Sequence, residues 1–203
     1  MQTKIARQHY VLWYFSKSLS FRLRNIIFID ESPFNLYIMR KHGWSRRGRA
    51  PNPIVRPRSE NITLILAMNG CNIVNSEAIQ GSVNTEVFET FLTATMNILG
   101  TDEEFIFVMD NVSFHHSVEV PESSNFTIFY LPPYSPMLNP CEEAFSVIKS
   151  NVRRNTQPTG IQDLISRMND ATHSVSSQNL ENFIMHSESF YESCLNLEDI
   201  GRE

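Results

Sequence analysis

The chain has 203 residues, 41% of them apolar, with 17 basic and 22 acidic side chains and a net charge of −5. That length suits one domain or one domain with an appendage, and that apolar fraction supports a real core and excludes a disordered chain. No window approaches the ~20 apolar residues of a membrane-spanning helix and no charged-then-apolar leader opens the chain, so neither a membrane protein nor a secreted one is expected.

The charge is unevenly placed. Residues 155–203 carry eight acids against two basic groups, a net of −6, which leaves residues 1–154 at +1. Between Glu31 and Glu60 lies an acid-free basic run: Arg40, Lys41, Arg46, Arg47, Arg49, Arg56 and Arg58. Such a run suits phosphates, and on charge alone a solvated loop fits it equally well. Cys71, Cys141 and Cys194 are odd in number and lack metal-ligand spacing, which fits a reducing compartment. The N-x-Ser/Thr triplets at Asn61, Asn111 and Asn125 are read as chance in a chain with no leader.

In chain order, residues 3–19 predict an amphipathic helix with Ile5, Val11, Leu12, Tyr14 and Phe15 toward the core. Asn25–Asp30, NIIFID, is too short for a helix and rich in β-branched residues, so it predicts a buried strand. Asp30 falls at its C-terminal end, where ligand sites of α/β sheets gather. Residues 33–60 predict a long basic loop, of a length that is usually functional, with a short strand around Asn35–Met39. Asn61–Met68 and Asn72–Gln80 predict two strands, with Asn69-Gly70 as a two-residue hairpin turn.

Asn84 caps an expected helix whose stripe is Val87, Phe88, Phe91, Leu92, Thr95, Ile98 and Leu99, and Gly100 stops it. Phe105–Asp110, FIFVMD, repeats the pattern of an apolar strand ending in an acid. Phe126–Leu131 predicts a further strand, and residues 161–172 and 178–194 two more helices. The acidic C-terminal helices are expected to pack on the flank of the sheet or on a second subunit, away from any phosphates held by the basic run. The order predicts an α/β fold, a mixed sheet flanked by helices. The helix at 84–99 serves as a crossover that makes Asp30 and Asp110 neighbours.

Leu131–Lys149, LPPYSPMLNPCEEAFSVIK, organises the rest. Pro132, Pro133, Pro136 and Pro140 each fix φ and remove a donor, so residues 131–138 are expected to form neither helix nor central strand. Asn139 then predicts an N-cap and Pro140 a first helical residue, in a helix running to about Arg154. Cys141, Ala144, Phe145, Ile148 and Val152 form its buried stripe. At about 100° per residue, Glu142 lies at the margin of that stripe and Glu143 opposite it. Glu142 has two readings: the third residue of a capping box on Asn139, or a carboxylate mounted to bind metal. Asp30, Asp110 and Glu142 together would give a hard-oxygen site for Mg²⁺ or Mn²⁺, and two ions about 4 Å apart can drive phosphodiester displacement.

IFIDES at 27–32, VMDNVSFHH at 108–116 and the proline segment resemble the DDE transposases of the mariner-type superfamily and their bacterial insertion-sequence relatives. GWSRRGRAP at 43–51 and NITLILAMNG at 61–70 are similar to the segments between the family's first two acids. The resemblance implies a ribonuclease H-like fold and a metal-dependent DNA endonuclease and strand transferase that cuts and pastes DNA. It implies Asp30, Asp110 and Glu142 as catalytic and metal-binding residues, two Mg²⁺ or Mn²⁺ ions, and double-stranded DNA (transposon ends and target) as partner. It also implies a homodimer when active, in the nucleus or, for a prokaryotic chain, the cytoplasm. Glu31 is expected to be turned off the metal face.

Arg46, Arg47, Arg49, Arg56 and Arg58 are the expected DNA-backbone contacts, with Trp44 a packing anchor. Asn111 and His115 have two readings, turn and packed-loop residues or auxiliaries that position phosphate or water. The expected organisation is an N-terminal helix at 1–24, a catalytic domain at 25–155 and acidic helices at 156–203 packed on it. The 31 residues between Asp110 and Glu142 are slightly fewer than is usual in the family, a shortening expected to fall in the surface stretch His115–Asn125. Only 24 residues precede Asn25, too few for the family's helix-turn-helix modules, so the expectation is either a catalytic-domain fragment or truncated copy, or a gene that has lost autonomous mobility. The alternative is a catalytically silent or domesticated transposase-derived domain that binds DNA or protein.

Overall fold

In a computed structural model, residues 2–36, 48, 61–111, 124–154 and 157–200 are described. The chain opens with helices α1 (Gln2–Phe15) and α2 (Leu19–Arg24), then strands β1 (Ile26–Asn35), β2 (Asn61–Met68) and β3 (Ile73–Gln80). Helix α3 (Thr85–Leu99), strands β4 (Phe105–Met109) and β5 (Phe126–Tyr130), and helices α4 (Cys141–Arg153), α5 (Ile161–His173), α6 (Ser177–Glu188) and α7 (Tyr191–Leu195) follow.

The described strands form one sheet in the order β3-β2-β1-β4-β5. The β1–β2 and β2–β3 pairs are antiparallel, and β1–β4 and β4–β5 are parallel. Parallel neighbours need a crossover, and α3 provides it, capped by the Asn84 side chain at the Val87 N–H and stopped by Gly100 at φ +76°. Of its expected stripe, Phe88, Phe91, Leu92 and Thr95 are buried, whereas Ile98 is exposed.

Side chains alternate across a strand, and this parity makes two apolar layers. Ile26, Phe28 and Phe34 of β1, with Leu64 and Leu66 of β2, pack with Tyr10 and Tyr14 of α1, Phe145 and Ile148 of α4, and residues of α5, α6 and α7. Ile27 and Ile29, with Ile65, Phe107 and Met109, pack against Phe88, Phe91 and Leu92 of α3. The C-terminal helices thus lie on a flank of their own chain's sheet, through Leu164, Met168, Leu180, Phe183, Ile184 and Tyr191.

Several elements differ from the sequence expectation. Strand β1 does not stop at Asp30 but continues to Asn35. Its parallel pairing with β4 ends at Ile29–Met109, and beyond that its recorded pairing is with β2 alone. Pro33 is tolerated because a strand with one neighbour needs its N–H groups on one side only. In α1 the buried residues are Tyr10, Val11 and Tyr14, while Ile5, Leu12 and Phe15 are exposed. The rings of Tyr10 and Tyr14 pack against Tyr191 of α7, which sets the face carrying Tyr10, Val11 and Tyr14 toward the core. The helix expected over 3–19 is two, because Ser18 caps a second start at the Phe21 N–H. The helix expected at 178–194 likewise breaks after Glu188. A short 3₁₀ turn, Pro136–Leu138, occupies part of the proline segment, which was expected to hold no helix.

The hairpin turn is a four-residue loop, not a two-residue one. Asn69 Oδ1 accepts from the N–H groups of Cys71 and Asn72, 2.9 Å each. Gly70 is needed for close approach. Its N–H donates to the Leu23 carbonyl at 2.9 Å, and a Cβ there would lie 2.8 Å from Leu23 Cδ2 and 3.2 Å from the Leu23 carbonyl oxygen. Gly70→Ala should therefore displace the Leu23 side chain, crowd its carbonyl and lower unfolding stability by about 1 kcal/mol in a urea titration.

Candidate active site

The three acids sit on three elements, and the parity of the strands decides where they point. Ile29 pairs with Met109 in parallel register, so Asp30 and Asp110 are the next residues of adjacent strands, roughly 4.8 Å apart in the pairing direction. Both share the parity of Phe28 and Val108 and face the layer covered by α4. Asp30 is therefore not at the end of its strand but at the point where β1 loses β4 as a neighbour. Glu31 has the opposite parity and does not line the cleft described next, as expected.

Helix α4 brings the third acid. Its buried residues are Cys141, Ala144, Phe145, Ile148 and Val152, the stripe read from spacing. Pro140, at φ −66°, occupies the cap position and Cys141 is the first helical residue, one step later than expected. The Asn139 side chain still serves the helix start, since its Oδ1 accepts the Cys141 N–H at 3.1 Å. The Glu142 N–H instead donates to the Asn139 backbone carbonyl at 3.2 Å, so the capping-box geometry between these two residues is not formed. Glu142 is exposed and shares a cleft of about 390 Å³ with Asp30, Asp110, Asn111, Asn139 and the proline segment Leu131–Pro136. Glu143 remains partly open to solvent, its side chain 44% exposed, and its Oε1 lies 3.4 Å from Nε2 of His186 on α6.

The acids feel one another. Burial pushes the Asp30 carboxyl well above its ordinary range; the Glu31 N–H, donating to Oδ1 at 2.8 Å, opposes this, and the charges of Glu142, Glu31 and Asp110 reinforce it. Burial also pushes the Cys141 thiol up, with the charges of Asp30, Glu142 and Glu31 adding to it. Lys149, two turns beyond Glu142, has its pKa lowered by burial, while the charges of Glu142 and Asp30 act the other way. Among the described residues, no three His, Cys, Asp or Glu side chains are grouped closely enough to hold an ion as they stand.

Two contacts brace the acid-bearing elements against each other. Asn139 Nδ2 donates to Asp30 Oδ2 at 3.0 Å, and Lys149 Nζ donates to Ser32 Oγ at 2.6 Å while lying over the Phe34 ring. Sequence reading took Asn139 only as a cap and did not single out Lys149, although its seven-residue spacing from Glu142 puts both on one helix face. Of the remaining expected site residues, Asn111 lines the cleft. His115, Arg46, Arg47, Arg49, Arg56 and Arg58 lie outside the described residues, as does Trp44.

A family model described as DDE superfamily endonuclease matches residues 25–165, which include all three acids. The chain belongs to the DDE superfamily endonucleases. It is similar in structure to the chain of a pre-cleavage Mos1 transpososome, with a TM-score of 0.81, 16% identity, and 98% of this chain and 63% of that one covered. A Mos1 mariner paired end complex with Mn gives a TM-score of 0.81 at 17% identity, covering 98% and 62%. The catalytic domain of Mos1 mariner transposase gives 0.71 at 14% identity, covering 98% and 94%. At such identities the likeness shows the fold, the ribonuclease H-like fold of that catalytic domain. The chain spans 60–63% of the length of the Mos1 chains in the first three complexes. Comparison with curated proteins by sequence gave no match.

Asn139→Ala should leave Asp30 Oδ2 and the Cys141 N–H without these partners. The expected loss is about 1–3 kcal/mol of stability, read from denaturant unfolding.

Proposed function

We propose that this chain is the catalytic domain of a cut-and-paste DNA transposase, a divalent-metal-dependent endonuclease and strand transferase. The observation that carries this reading is the common cleft of Asp30, Asp110 and Glu142, the three acids expected from the sequence. Its donor set fits the implied metal: carboxylate oxygens on a sheet edge and a helix start suit Mg²⁺ or Mn²⁺. Related Mos1 paired end complexes were solved with Mn and with Mg, which supports divalent metal use here.

In this proposal Asp30 and Asp110 hold one ion and Glu142 helps to hold a second. When bound, such ions supply positive charge that favours attack by water and stabilises the leaving 3′ oxygen. Asn139 orients the Asp30 carboxylate through its amide, and the Lys149–Ser32 contact fixes α4 against β1. Asn111 lies where it can position phosphate or water. After cleavage, the freed 3′-hydroxyl attacks target DNA at the same site, with no covalent protein–DNA intermediate. Arg46, Arg47, Arg49, Arg56 and Arg58 contact the DNA backbone, His115 assists beside Asp110, and the domain acts as a homodimer on transposon ends, in the nucleus or a bacterial cytoplasm. The second reading, a silent transposase-derived binding domain, takes its support from the lack of a ready-made three-ligand group among the described residues.

Plasmid nicking separates these readings, and the salt dependence of DNA binding tests the basic run. Wild type should nick supercoiled plasmid with Mg²⁺ or Mn²⁺, while Asp110→Ala and Glu142→Ala should lose nicking altogether. Equal behaviour of all three contradicts the enzymatic reading. Replacing Arg46 and Arg47 by Ala should reduce the slope of log affinity against log salt for DNA binding by about 2.

A further inference from the structure

The proline segment presents one residue in a way that core packing does not explain. Tyr134 has φ +55°, the left-handed region that L side chains adopt at a cost. The residue is 84% exposed, so burial does not offset that strain. Tyr10, Tyr14 and Tyr191, by contrast, are buried almost completely. Backbone strain held in place at a cleft is a pointer to function.

The surrounding structure over-determines this conformation. Arg7 of α1 reaches the segment from behind: its Nη2 donates to the Tyr134 carbonyl at 2.6 Å, and its Nε donates to Ser135 Oγ at 2.8 Å. The Ser135 hydroxyl in turn donates to the Pro133 carbonyl at 3.1 Å and is buried. Prolines at 132, 133 and 136 fix φ on both sides. The result is a fixed backbone that sets Tyr134 among the residues lining the cleft of Asp30, Asp110 and Glu142.

We propose that Tyr134 is a stacking platform for an unpaired nucleobase of the strand whose backbone enters the acid cleft. This rests on the nuclease reading given above. An exposed aromatic face beside a phosphodiester site is the arrangement that captures single-stranded bases, because every base has a π-face. The mount fixes the backbone from which the ring projects, so binding has only side-chain freedom to order. Tyr134 would hold the strand end in line with the acids and favour DNA with an unpaired base over fully paired duplex.

The test uses a duplex with 2-aminopurine in a 3′ overhang, in Ca²⁺ so that turnover does not intervene. Wild type and Tyr134→Phe should quench the probe equally. Tyr134→Ala should lose the quenching and bind the overhang about tenfold more weakly. Its affinity for blunt, fully paired duplex should be unchanged. Tyr134→Gly, which relieves the left-handed strain, should melt at the wild-type temperature or above it. A lower melting temperature for Tyr134→Gly would make the ring structural and overturn the proposal. If wild type nicks plasmid and binds the overhang, and Tyr134→Ala quenches like wild type, stacking alone is overturned. If wild type neither nicks nor binds, the nuclease reading falls and this proposal falls with it.

Discussion

The parallel pairing of β1 with β4 is the contact on which the site depends. Its register sets Ile29 beside Met109, and the residues that follow are both aspartates. A slip of one residue in either strand would turn one aspartate to the α3 face and leave the other alone. That register is held by the two apolar layers, because Phe28 and Val108 belong to one and Ile27, Ile29, Phe107 and Met109 to the other. The arrangement of the two aspartates is thus fixed by the packing of apolar residues around them.

Gathering acids at one place works against folding unless something answers their charge. Burial and neighbouring carboxylates both disfavour the ionised form of Asp30. The chain answers in part with neutral donors, the Asn139 amide and the Glu31 N–H, and with the Lys149 ammonium nearby on Ser32. A divalent cation between the acids would reverse the sign of the interaction among them. The same logic explains why the acid-bearing elements are braced by Asn139 and Lys149 rather than left to the carboxylates themselves.

Much of this was legible in the sequence, for local reasons. Apolar runs ending in acid gave β4 and the start of β1, and the spacing of Cys141, Ala144, Phe145, Ile148 and Val152 gave the buried face of α4 without error. Asn84 and Gly100 gave both ends of α3. What failed depends on distant neighbours. The extension of β1 through Pro33 needs β2 on one side and no β4 on the other. The burial of Tyr10 rather than Leu12 is decided by Tyr191, at the far end of the chain. Glu143 meets His186 because α6 packs there, which no angle within α4 can tell. The Tyr134 strain and the Arg7 mount carry no local signal beyond the prolines.

The central claim is that Asp30, Asp110 and Glu142 close around a divalent cation. A crystal soaked in Mn²⁺ and measured for anomalous scattering tests it most directly. The account predicts anomalous density with carboxylate oxygens of Asp30 and Asp110 at about 2.0–2.3 Å and Glu142 drawn toward the same cleft. Density that appears only elsewhere on the surface, with Asp30 still turned to Asn139, would contradict it.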